Sequence, residues 1–423
     1  MTMRSKPLLV LFGLALLIRL AALFVMSFVF GAAQDFSVDA QSYHQIAQNL
    51  VERGVFSSTI DPPYLPDVPG TFRPPLTPLY LAAWYAVFGV ELVWGRVGLA
   101  VISAVSCGLT FWLGERLFDR TVGLIAGLIS CVYPFFLLLA HVPLTETLSI
   151  FLTLLLIALL YAPQFETRLC WHSVALGAAF GLLLLNKASN MTIFSCALLW
   201  TGMRFIKTLR RGIAALALML TVAALLILPW TLRNYRATGA FIPINSNGGW
   251  TFYLGNSPAT EYNLTLLEQG TANGWTPAQD AYLPFADLAL TDVNARDQRA
   301  SALARQFIAE HPAQFLRFAV RKLMIFWRPY PHVMDKITWI PLAICGLAGL
   351  LASLAHWRRH LVIYALFGSS MLIPIFFTSM PRFRAPLIPF IIIYAAFAIT
   401  RLRTFFNKDA KNKEKYVRDC FSL

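Results

Sequence analysis

Residues 70–89 read GTFRPPLTPLYLAAWYAVFG, and the fold turns on whether this apolar stretch crosses a membrane. Arg73, Pro74, Pro75 and Pro78 crowd its start, and the run 74–90 falls short of the roughly 20 residues that span a bilayer. Ten other apolar runs stand near 7–31, 92–114, 121–141, 145–162, 171–188, 190–205, 212–230, 337–355, 361–379 and 385–401. If 74–90 also crossed, RFIKTLRR at 204–211 and the basic tail from Arg401 would face outward, against the tendency of Lys and Arg to stay in cytoplasmic loops. If it lies flat in the outer interface, those segments stay inside together with Arg4 and Lys6. The second arrangement is the expectation: ten spans, with both termini cytoplasmic.

The composition agrees. Of 423 residues, 57% are hydrophobic and 13% charged, against about a quarter charged in a soluble domain. The net charge of +14 is accounted for by the positive-inside bias, and no nucleic-acid partner is expected. Cys107, Cys131, Cys170, Cys196, Cys345 and Cys420 form no CxxC pair, so neither a disulfide framework nor a zinc site is indicated. The first run, from Pro7 to about Gly31, reads as a retained signal anchor.

Working outward from 70–89, the chain divides into an N-terminal transmembrane module, 1–230, whose first outer loop is 32–91. An outer region, 231–336, follows, then C-terminal spans at 337–401 and a basic tail at 402–423. The first loop carries QDFSVDAQSYHQIAQNLVERGVFSS at 34–58, where Tyr43, Ile46, Ala47, Leu50 and Val51 keep a helical period. A second outer helix is expected over 293–326.

Asp39 opens the first of these helices, where its plain role is an N-cap. Its functional role is a general base, and partial desolvation beside the outer leaflet would raise its pKa. Asp35 is a partner or merely loop. Glu146, in HVPLTETLSI, either starts the next helix or acts as an ionisable group at membrane depth with a named partner. Arg73 either snorkels or turns its fork to a phosphate. Lys187 in LLLLNKASN either reaches outward or neutralises a leaving phosphate. Arg233 and Asn234, with Arg382 and Arg384 in SMPRFRAP, put positive charge on the outer face against the topology bias, which an anionic headgroup explains. Asn256, in NSNGGWTFYLGNSP, lies in what reads as a tight loop over a site. The intramembrane Arg19 and Arg96 receive no catalytic role.

Taken in order, LIRL, DAQSYHQIAQNLVERGVF, FRPPLTPLY, LTET, LNKAS, LPWTLRNYRATGAF, GNSP and PRFRAP cover about 17–390. In that order the chain resembles the GT-C glycosyltransferases that use polyprenyl-phosphate sugars. It looks most like bacterial relatives of the dolichyl-phosphate-mannose protein mannosyltransferases and the lipid A aminoarabinose transferase. The resemblance implies an all-α polytopic membrane protein: a GT-C-like bundle of about ten transmembrane helices with outer-face juxtamembrane helices and a periplasmic loop. It implies Asp39 and Glu146 as catalytic carboxylates, with Tyr43 beside Asp39 as a secondary candidate. Arg73, Lys187, Arg382 and Arg384 would be the contacts of the donor phosphate.

The implied activity is transfer of a sugar from a polyprenyl-phosphate donor to a glycan, lipid or protein acceptor, at the periplasmic face of a bacterial inner membrane. With a monophosphate leaving group no cofactor or metal is required; a diphosphate donor would bring in a divalent ion. The alternative class is a transporter or flippase of a lipid-linked sugar, which would place its site at mid-membrane among repeated halves.

Overall fold

A computed structural model describes residues 5–29, 37–162, 168–271, 275 and 279–403, and every regular element among them is helical. Asp35 and the tail beyond residue 403 lie outside the described residues. The chain runs α1 (Ser5–Val29), α2 (Val38–Arg53), α3 (Leu76–Phe88), α4 (Leu92–Leu117), α5 (Arg120–Val132), α6 (Pro134–Leu139), α7 (Glu146–Tyr161), α8 (Leu169–Asn186) and α9 (Phe194–Arg204). It continues through α10 (Leu209–Thr238), α11 (Gly248–Gly255), α12 (Thr260–Gln269), α13 (Val293–Glu310), α14 (Pro312–Trp327), α15 (Val333–Ser353), α16 (Trp357–Phe376) and α17 (388–403).

Among the described residues, six stretches are long and apolar enough to cross a membrane: Lys6–Ser27, Leu92–Leu117, Leu169–Asn186, Leu209–Thr238, Val333–Phe376 and Pro381–Arg403. The expected count of ten differs for local reasons, the simplest being that run 145–162 is α7, an apolar helix of 16 residues that falls short of the needed length. Run 121–141 is two helices, because Pro134 has no N–H for the Ser130 carbonyl and helix α5 stops there. Run 190–205 is a 3-10 turn, Ala188–Ile193, followed by the 11-residue α9. Runs 337–355 and 361–379 are α15 and α16, joined within one apolar stretch of 44 residues. Helix α3, at 13 residues, is roughly 20 Å long and does not cover a hydrocarbon core of about 30 Å.

The break at Pro134 explains Arg19. Its guanidinium donates to the orphaned carbonyls of Ser130 and Cys131, both at 3.3 Å, to Ala15 O at 3.1 Å and to Ser103 Oγ at 2.8 Å. A buried arginine thus closes the backbone groups that a proline kink leaves open. Arg96 likewise donates from Nε to His141 O, at 3.1 Å.

The core gathers around α17, whose Ile388, Phe390, Ile392, Ile393 and Tyr394 are fully buried in one cluster with residues of α7, α8 and α16. Helices α8 and α10 approach closely through Gly177, where a Cβ would lie 2.5 Å from Met219 O. Small residues at such crossings let backbones pack in a membrane, where burial against lipid gives no driving force.

Two local expectations are corrected. The N-cap of α2 is Ser37, whose side chain accepts from Ala40 N, so the Asp39 carboxylate is left for other partners. The expected helix over 293–326 is two, since Pro312 starts α14 afresh.

Candidate active site

Helix α2 buries Ala40, Tyr43 and Ala47 against Leu81, Ala82 and Tyr85 of α3. That packing sets the first turn of α2, and with it Asp39, beside the loop that carries Asp61 and Arg73. Arg73 is held by Asp61 through two bonds, Nε to Oδ2 and Nη2 to Oδ1, each 2.8 Å. Its Nη1 donates to Asp39 Oδ1 at 2.7 Å. Ser42 Oγ donates to Asp61 from the next turn of α2. The Arg73 guanidinium also lies 5.4 Å from the ring centres of both Tyr43 and Phe72.

Arg382, in the 3-10 turn Pro381–Leu387, reaches the same carboxylate from the other side and donates from Nη2 to Asp39 Oδ2. Its Nε lies 3.6 Å from Glu146 Oε1 and has no hydrogen-bond partner among the described residues. Glu146 is the first residue of α7 and is 3% exposed. Lys187 closes the group from the end of α8: its Nζ lies 3.8 Å from Glu146 Oε1 and 3.9 Å from the centre of the Phe383 ring. Asp39, Arg73, Glu146, Lys187 and Arg382, distant in sequence, are therefore one charged cluster, to which the structure adds Asp61. Beside it, Glu146, Lys187, Arg382 and Phe383 share a cavity of about 40 Å³ with Ser149, Ser189, Asn190, Thr192 and Ser370.

The electrostatics correct one expectation. Burial acts upward on the Asp39 carboxyl and is the largest single influence, but Arg382 and Arg73 together outweigh it. Asp39 is held below the ordinary carboxylate range, whereas desolvation alone would have raised it. Burial lowers Lys187, opposed by Glu146. Arg73 is pushed well above its ordinary value: burial opposes this, and Asp39 and Asp61 prevail.

Arg384 is a second correction. Although two residues from Arg382, it turns away from the cluster. It is fully buried, donates to the carbonyls of Phe326 and Arg328, pairs with Asp335 at 3.1 Å, and sits 3.9 Å from the centre of the Trp339 ring. In a 3-10 turn of three residues per turn, positions two apart point different ways.

The secondary candidates act as braces. Arg233 donates to Gly70 O at 2.6 Å and Phe56 O at 3.2 Å, fixing the two ends of the loop that carries Asp61. Asn234 donates to Ile242 O and Ile244 O, at 2.9 and 3.1 Å. Ser246 continues the brace, its N bonding Thr71 O and its Oγ bonding Thr71 Oγ1. Tyr43 is buried, with its ring on Arg73. Residues 248–255 form α11 rather than the loop expected over the site. Asn256, at the end of α11, donates to Phe376 O at 2.6 Å and Phe252 O at 2.9 Å. A Cβ on Gly255 would lie 2.7 Å from the backbone of Phe377, so α11 seats directly on the segment leading to Arg382.

Asp61 was missed because it sits in TIDPPYLPD, which reads as a plain turn. The available signal is that Asp61 and Arg73 each front a Pro–Pro pair, twelve residues apart, so two stiff turns present opposite charges. Among the described residues no group of three or more His, Cys, Asp or Glu side chains is placed to hold a metal ion.

No family model matches the chain, and no curated protein matches it by sequence. Solved structures do. The oligosaccharyltransferase of Archaeoglobus fulgidus in its apo form is similar over 96% of this chain and 52% of its own, at 13% identity and TM-score 0.58. The same archaeal oligosaccharyltransferase, in complex with an inhibitory peptide and a dolichol-phosphate, is similar over 98% of this chain and 52% of its own, at 14% identity and TM-score 0.57. A looser likeness, TM-score 0.47 at 15% identity, joins 94% of this chain to 78% of ArnT from Cupriavidus metallidurans bound to undecaprenyl phosphate. The chain thus has the fold of the archaeal enzyme and spans about half its length. The helical-bundle fold expected from the sequence is the fold observed.

Proposed function

We propose that this chain transfers a sugar from a polyprenyl-phosphate donor to an acceptor nucleophile. The observation that carries the proposal is one carboxylate, Asp39, flanked by two guanidiniums and backed by a second acid and a lysine. Such a cluster can take a proton and stabilise a phosphate dianion in one place. The neighbour of like fold that was solved with a dolichol-phosphate supports the donor class.

In this reading the acceptor approaches Asp39, which removes its proton as it attacks the anomeric carbon. The sugar–phosphate bond breaks towards the phosphate oxygen. Arg382 and Lys187, with Arg73 beside them, stabilise the charge that develops there, the electrostatic contribution that is commonly largest. Glu146 lies within 3.6 Å of Arg382 and 3.8 Å of Lys187 beside the cavity that all three line. The clustering of Lys and Arg in the short loops opposite this site, together with the resemblance, supports a site on the periplasmic face of a bacterial inner membrane. The transporter alternative draws no support from Arg19, which is bound to backbone carbonyls and helix-facing polar atoms.

Two measurements test this. Mass spectrometry of lipids co-purified with the chain should find a polyprenyl-phosphate sugar. Asp39→Asn should abolish transfer to the acceptor while donor binding persists, and full activity in that variant would falsify the assignment of the base.

A further inference from the structure

Arg73 and Arg382 both hold Asp39, but their own surroundings differ. Arg73 is anchored: two bonds to buried Asp61 and two flanking rings hold it whether or not Asp39 is present. Arg382 is loosely held. Asp39 is its hydrogen-bonded partner, Glu146 stands off at 3.6 Å, one ring, Phe383, lies 5.8 Å away, and among the described residues its buried Nε has no hydrogen-bond partner.

A carboxylate held by two guanidiniums is a poor proton acceptor, since protonation would break both contacts. A lipid phosphate brings oxygens that compete with Asp39 for the same donors. We propose that the donor's phosphate arms the base: it draws Arg382 off Asp39, while Asp61, a positioning residue, keeps Arg73 in place. This rests on the donor class proposed above.

The step balances. The phosphodiester and Asp39 each begin with one negative charge. The acceptor's proton passes to Asp39, its lone pair bonds to the anomeric carbon, and the departing pair leaves the phosphate a dianion. The second charge arises where Arg382 has just arrived. The charged and titratable groups around Asp39 that bear on this are Arg73, Arg382, Tyr43, Lys187, Glu146 and Asp61.

The test follows the ionisation of Asp39 directly. The full chain in nanodiscs is labelled with a water-soluble carbodiimide, which attacks protonated carboxyls, over an acid-to-neutral pH series. Undecaprenyl phosphate is present or absent, its binding is confirmed by native mass spectrometry, and labelled peptides are read by tandem mass spectrometry. In the unsubstituted chain the lipid should raise the midpoint of Asp39 labelling by about one pH unit or more. Arg382→Gln should start from the raised midpoint without lipid, and lipid should add little.

Asp61→Asn should lower the lipid-free midpoint, because Arg73 then turns its whole charge on Asp39, and Asp61→Glu should restore it. A role for Asp61 in folding alone would leave the midpoint of the folded fraction where it was. Lipid that binds without moving the midpoint, or an Arg382→Gln midpoint equal to that of the unsubstituted chain, overturns the exchange alone. Failure of undecaprenyl phosphate to bind at all overturns the donor assignment, and the exchange with it.

Discussion

Asp39 and Glu146, more than a hundred residues apart, share one cation: Arg382 donates to Asp39 through Nη2 and holds its Nε 3.6 Å from Glu146. Removing that cation should weaken the site for anions. Arg382→Gln should weaken undecaprenyl phosphate binding roughly ten- to hundredfold, the range of one lost charge-assisted contact. Arg382→Lys should not restore it, because an ammonium cannot face two carboxylates with a planar fork. Titration of the purified chain with the lipid decides this, and unchanged affinity in Arg382→Gln removes the phosphate role.

Arg384 should behave in the opposite way. It is fully buried and pairs with Asp335, which is itself nearly covered. Arg384→Leu leaves that acid without its partner and should destabilise the fold by on the order of 3–5 kcal/mol. Adding Asp335→Asn should recover part of the loss. Thermal unfolding in detergent separates the two arginines: Arg382→Gln should change lipid affinity with little effect on Tm, and Arg384→Leu should lower Tm first.

How far the sequence could be read follows from which forces act locally. Hydropathy and charge bias depend on nearest neighbours, so the apolar helices and the outer loops are visible in the chain itself. Helix breaks at Pro134 and Pro312 have a local signal too, since each proline removes one N–H, yet an apolar run masks the first and a continuous helical pattern the second. The cluster of Asp39, Arg73, Glu146, Lys187 and Arg382 could be picked out because charge is conspicuous at the ends of apolar runs. The division between Arg382 and Arg384 could not. It depends on the phase of a 3-10 turn and on Asp335 and Trp339 arriving from α15. Asp61 was hidden for a like reason: its meaning lies in the two bonds to Arg73.

Arg233 gives a test of the brace. It crosses from α10 to the carbonyls of Phe56 and Gly70, at either end of the loop bearing Asp61. Arg233→Met should loosen that loop without touching the cluster. Transfer should fall several-fold through kcat, with lipid affinity nearly unchanged. Faster hydrogen exchange over 55–72 should accompany it, and equal exchange in the two proteins rules out the bracing role.

Arginines and a lysine supply the counter-charge in the proposed reaction, so transfer should survive chelation. Activity measured with EDTA, and again after adding back magnesium or manganese, should stay within about twofold, well inside one pKa unit's worth of free energy. Loss in EDTA with recovery on one metal would instead argue for a diphosphate donor bridged by a divalent ion.

Lys322 gives the sharpest pH test. It lies on α14, is fully buried, and donates to Gly255 O at 3.0 Å and to Asn256 Oδ1 at 3.4 Å, with no carboxylate partner among the described residues. Burial lowers it from its ordinary 10.5 to about 7. Between those values the unfolded chain keeps a proton that the folded chain has released, so stability should rise with pH through this window. Below about 7 both states are protonated and the penalty of the buried charge is fully present. Tm should therefore climb by a few degrees from neutral to alkaline pH, and Lys322→Met should flatten that climb while raising Tm at neutral pH. The position matters because Gly255 and Asn256 seat the segment before Arg382, and Ser379 Oγ bonds Lys322 O at 2.7 Å. A Tm profile that keeps its slope in Lys322→Met would place the titrating group elsewhere.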